Sequence, residues 1–187
     1  MDQNTALVII DVQNGFDDPS WGRRNNPGAE AAIARLLKTW RQEKRPIFHV
    51  QHLSRNPVSP LRPGQNGVEI KNIVKPLPGE IVITKNVNSA FIGTDLDDRL
   101  RRAGIKNLVL TGLCTDHCVS TTTRMAANLG FSVILPADTA ATFDRTGYDG
   151  KIYPAEEIHR TALASLHGEF ATVVNSEVLL EVQLSTI

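Results

Sequence analysis

Three side chains in this sequence have the chemical types that cysteine-based acyl transfer requires: Asp11, Lys85 and Cys118. A carboxylate such as Asp11 accepts the thiol proton and later returns it to a leaving amine. An ammonium such as Lys85 keeps that carboxylate ionised and lowers the pKa of the thiol. Cys118 lies near a predicted helix start, where backbone N–H groups favour a thiolate and stabilise an oxyanion.

The elements that must position these side chains alternate between short apolar runs and longer amphipathic ones. The predicted strands are Ala6–Val12, Pro46–Val50, Glu80–Thr84, Asn107–Thr111, Phe131–Leu135 and Phe170–Val174. The predicted helices are Pro27–Glu43, Thr94–Ala103, Asp116–Leu129, Pro154–Leu166 and Glu177–Leu184. This alternation predicts an α/β fold with a parallel sheet covered on both faces. Ligands of such sheets bind at the carboxyl ends of the strands, where all three side chains fall.

Two segments interrupt this rhythm. Residues 54–72 contain several prolines and glycines, and residues 138–152 contain two glycines. Long loops in compact domains are often functional, so both are predicted to border the site. Arg62 and Gln65 in the first loop are candidates to hold an anionic or amide group. The alternative, given equal weight, is that this loop makes subunit contacts and that Arg62 is solvated.

Composition sets the general class of the protein. The chain has 187 residues, 41% hydrophobic and 21% charged, with a formal net charge of zero. This predicts one globular domain over residues 1–187, with no field that favours nucleic acid or a membrane. No apolar stretch is long enough to span a bilayer, and the N-terminal residues lack the features of a signal peptide. Two cysteines four residues apart form no disulfide framework, so we expect a reducing, cytoplasmic compartment.

Each of the three side chains also has a simpler explanation. Asp11 alone would be a turn or cap residue, and Lys85 alone a solvated lysine at a sheet edge. Cys118 alone would be a small buried apolar residue, which is what free cysteines usually are. Their joint placement at strand ends favours function. Cys114 is interpreted as structural, packed beneath the site.

Four sequence pieces carry a resemblance to a known family. They are residues 6–16, ending Asp-Val-Gln-Asn-Gly-Phe, and Lys-Asn-Val-Asn-Ser-Ala-Phe at 85–91. The others are Thr-Gly-Leu-Cys-Thr-Asp-His-Cys-Val at 111–119, and residues 130–141. Together the chain resembles the isochorismatase-like cysteine hydrolases, which include nicotinamidases, N-carbamoylsarcosine amidases, ureide and biuret hydrolases, and isochorismatases.

The resemblance implies a catalytic triad of Asp11, Lys85 and Cys118 in a Rossmann-like, three-layer αβα fold. Its six-stranded parallel sheet would have the order 3-2-1-4-5-6, which brings the ends of strands one and four together. The resemblance also implies a non-proline cis peptide between Leu113 and Cys114. That bond would direct the N–H of Cys114, together with that of Cys118, at the oxyanion.

The sequence departs from the nicotinamidase pattern at the metal site. Those enzymes usually bind a metal through an Asp-x-His pair and a later histidine after strand two, where this sequence has His49 and His52. Residues three apart on a strand face opposite sides, and we expect no nearby carboxylate to complete the set. We therefore expect no metal and no cofactor, and packed or substrate-lining histidines.

Other candidates for contact with a small-molecule substrate follow from position. Phe16 and Trp21 lie beyond the Asp11 strand, and Asn88, Ser89 and Phe91 follow Lys85. The expected function is hydrolysis of a small amide, carbamoyl or ureide C–N bond through a thioester. Two alternatives stay open: a vinyl-ether hydrolase with Asp11 as the acid, and a non-catalytic binding module. Because family members are commonly dimers or tetramers, we expect a homodimer or homotetramer.

Overall fold

The computed structural model describes residues 3–184, and a parallel β-sheet forms its centre. The strands are β1 (Thr5–Ile10), β2 (Ile47–His52), β3 (Ile81–Lys85), β4 (Asn107–Leu113), β5 (Ser132–Pro136), β6 (Ala140–Ala141), β7 (Arg145–Thr146), β8 (Ile152–Tyr153) and β9 (Thr172–Val174). The α-helices are α1 (Ala29–Gln42), α2 (Leu96–Arg102), α3 (Ser120–Asn128), α4 (Ala155–Leu166) and α5 (Ser176–Leu184).

The strand order of the main sheet is β3-β2-β1-β4-β5-β9, with β6 paired beside β4. The predicted fold class is therefore confirmed, because β9 is the sixth predicted strand. The prediction of a plain loop over residues 138–152 is wrong. That segment contains β6, which pairs with the end of β4, and the antiparallel pair β7–β8. Strands of two residues are too short to leave a periodic signal in the sequence.

Alternation along the strands builds two apolar layers, one on each face of the sheet. In β1, Ala6, Val8 and Ile10 pack on one face, with α2, α3 and α4. Leu7 and Ile9 point to the other face, against α1 and α5. This is the three-layer arrangement that continuous apolar strands require. Among the described residues, no helix has the length and apolarity to cross a membrane.

The ends of β1 and β4 lie side by side, and a glycine makes their close contact possible. Gly112 pairs in register with Ile10 and has a φ of +127°. A Cβ at this position would lie 1.9 Å from the Ile10 carbonyl oxygen, so no other residue fits. This contact brings the segment after β4, which carries Cys118, next to Asp11, which directly follows β1.

Candidate active site

Asp11, Lys85 and Cys118 come together at the carboxyl end of the sheet. The Lys85 Nζ atom lies 2.6 Å from Asp11 Oδ2 and 3.3 Å from Cys118 Sγ. Both side chains of the Asp11–Lys85 ion pair are fully buried, and Cys118 is 8% exposed. The three residues named from the sequence therefore form one buried cluster, although they are separated by up to 107 positions in the chain.

Lys85 binds only one of the two carboxylate oxygens of Asp11. Oδ1 is buried and has no hydrogen-bond partner among the described residues, while Oδ2 accepts from Lys85. Asp11 also has a φ of 54°, in the left-handed region that few non-glycine residues adopt. An unsatisfied buried acceptor is costly, and such features concentrate at functional sites. Oδ1 is thus available to receive a proton.

The electrostatics of the resting site favour a neutral thiol. Burial raises the pKa of Cys118 well above its usual value, and the negative charge of Asp11 adds to this, while Lys85 opposes both. Burial likewise raises the pKa of the Asp11 carboxyl against the opposing effect of Lys85. Lys85 lowers the pKa of the thiol, as predicted, but desolvation of the sulfur outweighs this effect in the resting state. The thiol needs a base.

His52, at the end of β2, is the fourth member of the cluster. Its Nδ1 atom lies 3.1 Å from Lys85 Nζ, and the two residues are register partners on adjacent strands. Burial, and then the charge of Lys85, lower the pKa of His52 to about 4. His52 is therefore neutral at physiological pH.

Three side chains that could ligate a metal meet in this cluster, but the Lys85 ammonium lies among them. Ligand atoms of Asp11, His52 and Cys118 all lie within 4.8 Å of one another. The Lys85 ammonium lies within hydrogen-bonding distance of all three side chains, where a bound ion would have to be. These residues therefore do not fit a metal while Lys85 holds this position.

His49 points away from this cluster, as predicted for a residue three positions from His52 on a strand. Its Nε2 atom lies 2.8 Å from Glu80 Oε2, on the opposite face of the sheet. The assumption that no carboxylate lies near these histidines is wrong, since Glu80 contacts His49 and Asp11 lies near His52. Neither carboxylate adjoins them in sequence, so only the folded chain shows the contacts.

Cys118 lies on an unusual turn that follows β4. The peptide bond between Leu113 and Cys114 is cis, at the position that the resemblance implied. A single π-helical turn, Thr115–Val119, then carries Cys118 and leads into α3. The sequence predicted one continuous helix here, over Asp116–Leu129. Instead, the Cys114 carbonyl accepts hydrogen bonds from the N–H groups of His117 and Val119.

Comparison with known proteins settles the family. The model of the isochorismatase domain matches residues 5–178 of the chain. The protein belongs to the isochorismatase family. It is 46% identical over 180 residues to the uncharacterised isochorismatase family protein YrdC of Bacillus subtilis, with 96% of each chain covered. Membership makes it a hydrolase.

Two further relatives support this family assignment. A crystal structure of a hydrolase of the isochorismatase family from Chromobacterium violaceum superimposes with a TM-score of 0.94 at 46% identity, covering 100% of this chain and 96% of that one. The ureidoacrylate amidohydrolase of Pseudomonas savastanoi is 34% identical over 134 residues, which cover 71% of this chain and 50% of that protein.

Behind the π-helical turn of this isochorismatase-family hydrolase lies a buried histidine that the sequence analysis did not identify. His159 of α4 has its Nδ1 atom 2.8 Å from the Thr115 hydroxyl. Asn26 lies beside its Nε2 atom and donates to the Ala137 and Ala140 carbonyls. This network links α4 and β6 to the turn. The sequence signal for His159 was its position on the apolar face of the predicted helix Pro154–Leu166.

An ion pair stabilises the other side of the turn. Arg145, from β7, donates to both carboxylate oxygens of Asp116, and the Thr142 hydroxyl also bonds to this carboxylate. Burial raises the pKa of Cys114 to about 12, so this second thiol is neutral beneath the site. The loop after β5 therefore fixes the turn, and the structural interpretation of Cys114 agrees with its 3% exposure.

Of the three candidates after Lys85, Asn88 lies closest to the chemistry. The residue is exposed, and its Oδ1 atom lies 3.8 Å from Cys118 Sγ. Ser89 is buried and accepts a hydrogen bond from the Phe91 N–H. Phe91 is 9% exposed, and its ring stacks on Phe131 with a centroid distance of 6.0 Å. Ser89 and Phe91 thus shape the loop that presents Asn88.

Phe16 and Trp21 form an aromatic cluster with Phe143 on the Cys114 side. The Phe16 and Trp21 ring centroids are 5.1 Å apart, and those of Trp21 and Phe143 are 5.4 Å apart. Trp21 also donates from Nε1 to the Gly15 carbonyl at 2.8 Å. This cluster includes Leu113 and Cys114, so its rings pack against the cis peptide.

The two candidates in the proline-rich loop lie farther out. Arg62 is exposed, and the Gln65 side-chain amide donates to the Ser59 carbonyl at 2.9 Å within the loop itself. Gln13 does more to position this loop than either of them. Its buried side chain donates to the carbonyls of His52 and Val68 and accepts from the His52 N–H. The Asp-x-Gln spacing at 11–13 was the signal for it.

Proposed function

We propose that this hydrolase cleaves the C–N bond of a small amide, carbamoyl or ureide substrate through a thioester on Cys118. The observation that carries the proposal is the unpartnered Oδ1 of Asp11 in a buried cluster with the thiol. The charge of Lys85 on the other oxygen favours the ionised carboxylate, which acts as the base, and opposes the effect of burial.

In the first half-reaction, Asp11 accepts the proton of Cys118 as the sulfur attacks the substrate carbonyl carbon. The tetrahedral oxyanion receives hydrogen bonds from the backbone N–H groups of Cys114 and Cys118. Protonated Asp11 then gives its proton to the leaving nitrogen, the C–N bond breaks, and ammonia or an amine departs. The acyl group stays on the sulfur as a thioester.

In the second half-reaction, water attacks the thioester carbonyl. Asp11, ionised again, takes a proton from this water, and collapse of the intermediate expels the Cys118 sulfur, which regains the proton. The products are a carboxylic or carbamic acid and the free thiol. The Lys85 ammonium offsets the charge on sulfur in both half-reactions.

Two features support an amide-type substrate. Isochorismatases proper act on a vinyl ether and lack the cysteine, whereas this chain has the thiol within reach of a base. One relative also carries the name amidohydrolase. We infer that Asn88, whose Oδ1 atom lies 3.8 Å from Cys118 Sγ, binds a polar group of the substrate. Assembly as a homodimer or homotetramer stays a prediction, measured by light scattering.

The test is hydrolysis of a panel of small amides, carbamoyl compounds and ureides, with isochorismate included. We expect release of ammonia or an amine from at least one of the amide-type compounds, and its loss in Cys118→Ala. Full activity of Cys118→Ala on the best substrate would overturn the proposal. Turnover of isochorismate alone would favour the vinyl-ether alternative, with Asp11 as the acid.

A further inference from the structure

The Lys85 ammonium has more acceptors around it than it has hydrogens. Its Nζ atom lies 2.6 Å from Asp11 Oδ2, 3.1 Å from the Val87 carbonyl, 3.1 Å from His52 Nδ1 and 3.3 Å from Cys118 Sγ. An ammonium group has three N–H donors. At any moment one of the four acceptors is therefore without a full hydrogen bond.

Chemistry decides which acceptor is left out. Asp11 is charged and closest, so its bond is the strongest of the four. Val87 contributes a backbone carbonyl two residues along the same segment. The third N–H is left for either His52 or Cys118. A thiol sulfur is a weak acceptor and a thiolate a much stronger one, so the preference between these two depends on the state of Cys118.

We propose that His52 is a positioning residue that holds the third N–H of Lys85 while Cys118 is a thiol and yields it to the sulfur as the thiolate forms. This inference rests on the proposed cysteine mechanism and adds a regulator of the nucleophile to it. His52 acts through Lys85 and needs no contact with the substrate.

The surroundings of His52 suit this role. Its Nδ1 atom accepts from an ammonium, so the proton of the neutral ring must reside on Nε2. The Gln13 side chain bonds to both the N–H and the carbonyl of His52, at 2.8 and 2.9 Å. These two bonds fix the backbone at a strand end, where it would otherwise fray. The low pKa of His52, about 4, keeps the acceptor available.

The titratable and charged groups near the thiol come from three strands and one turn. Asp11 faces it from the end of β1 and Lys85 from β3, and His52 faces the ammonium from β2. On the nucleophile turn itself, the Asp116 carboxylate pairs with Arg145, and this pair acts on Cys114. Lys85 is thus the cation whose hydrogen bonds control the thiol.

The experiment measures the rate of Cys118 alkylation by iodoacetamide against pH in the full-length protein. Trypsin releases residues 107–124 as one peptide with both cysteines, and fragment ions separate the adduct on Cys118 from that on Cys114. In His52→Leu the third N–H has no competing acceptor. We expect its alkylation midpoint to fall by about one pH unit, or about tenfold faster alkylation below the midpoint.

Two matched variants complete the design. His52→Asn keeps an acceptor at the position of Nδ1 and should restore a midpoint close to wild type. His49→Asn makes the same substitution on the opposite face of β2 and should leave the midpoint unchanged. An unchanged or higher midpoint in His52→Leu would overturn the proposal, as would an equal shift in His52→Asn.

The wild-type protein offers a second measurement in case His52→Leu does not fold. Nitrogen-15 NMR of the histidine rings should show His52 neutral with its proton on Nε2 between pH 5 and 8, while a proton on Nδ1 would overturn the proposal. Alkylation reports on the thiol without turnover. Failure of the His52 role therefore appears as an unshifted midpoint, whereas failure of the hydrolase proposal appears as full activity in Cys118→Ala.

Discussion

Two histidines of β2, three residues apart, lie in two different charged clusters. The His49 cluster consists of His49, Glu80 and Arg41, and the His52 cluster of His52, Lys85, Asp11 and Cys118. In the first, the carboxylate is fully used: Arg41 donates to both Glu80 oxygens, and the Leu77 N–H and His49 bond to Oε2. In the second, one carboxylate oxygen has no partner among the described residues.

The difference separates an arrangement that stabilises the fold from one able to move a proton. A buried carboxylate with all its acceptors satisfied has no capacity left for chemistry, and its ion pair contributes to stability. A buried carboxylate with a free oxygen beside a thiol costs stability and retains a base. Sequence spacing alone makes the two histidines look alike, and their neighbours in space distinguish them.

The largest expected effect comes from removing the base. Asp11→Asn keeps the shape of the side chain but loses its charge, so no group accepts the thiol proton. We expect turnover of the best amide substrate to fall by about 10²–10⁴-fold. Glu80→Gln, the same change in the His49 cluster, is the control and should keep near wild-type turnover per folded molecule. Equal losses in the two variants would erase the proposed distinction.

The His49 cluster should instead respond in stability. Arg41→Met leaves the Glu80 carboxylate, which is 13% exposed, without its bidentate partner. We expect the free energy of unfolding to fall by about 1–3 kcal/mol. Urea denaturation gives this quantity, and iodoacetamide alkylation of Cys118 should keep its wild-type pH midpoint. A shifted midpoint would show that the two clusters are coupled.

Acid pH should reveal the smaller contributions of both clusters to stability. Burial lowers the pKa of both His49 and His52 from 6.5, to about 4 for His52. Between pH 6.5 and 4 these histidines bind protons in the unfolded chain but not in the folded protein. The free energy of unfolding therefore keeps their whole contribution above pH 6.5 and declines as the pH falls toward 4. Urea midpoints between pH 7.5 and 4 measure this decline.

His52→Asn removes one of these histidines and should make that decline shallower. A pH dependence of stability that is unchanged in this variant would contradict the assigned neutral state of the His52 ring.

Glu80 contributes to stability in a separate pH range. Although burial alone would raise its pKa, hydrogen bonds from Arg41, Leu77 and His49 lower it to about 2. Its contribution is present above pH 4.5 and lost as the pH falls toward 2.

Strong local patterns made the sheet and the clustering of Asp11, Lys85 and Cys118 predictable from the sequence. Continuous apolar runs defined the strands, and a polar residue after each run marked the carboxyl edge where Asp11 and Lys85 lie. The partners of His52 and His49 were not predictable, because Lys85 and Glu80 reach them through strand register. Burial of Cys118, which reverses the expected direction of its pKa shift, also depends on tertiary packing.

The most direct test of the account is to trap the acyl-enzyme. The protein is mixed with the best substrate of the amide panel, quenched in acid within the first turnovers, digested with trypsin and examined by mass spectrometry. The account predicts that the peptide 107–124 gains the mass of the acyl group, with fragment ions placing it on Cys118. Rapid turnover with no adduct on this peptide at any quench time, together with full activity in Cys118→Ala, would contradict it.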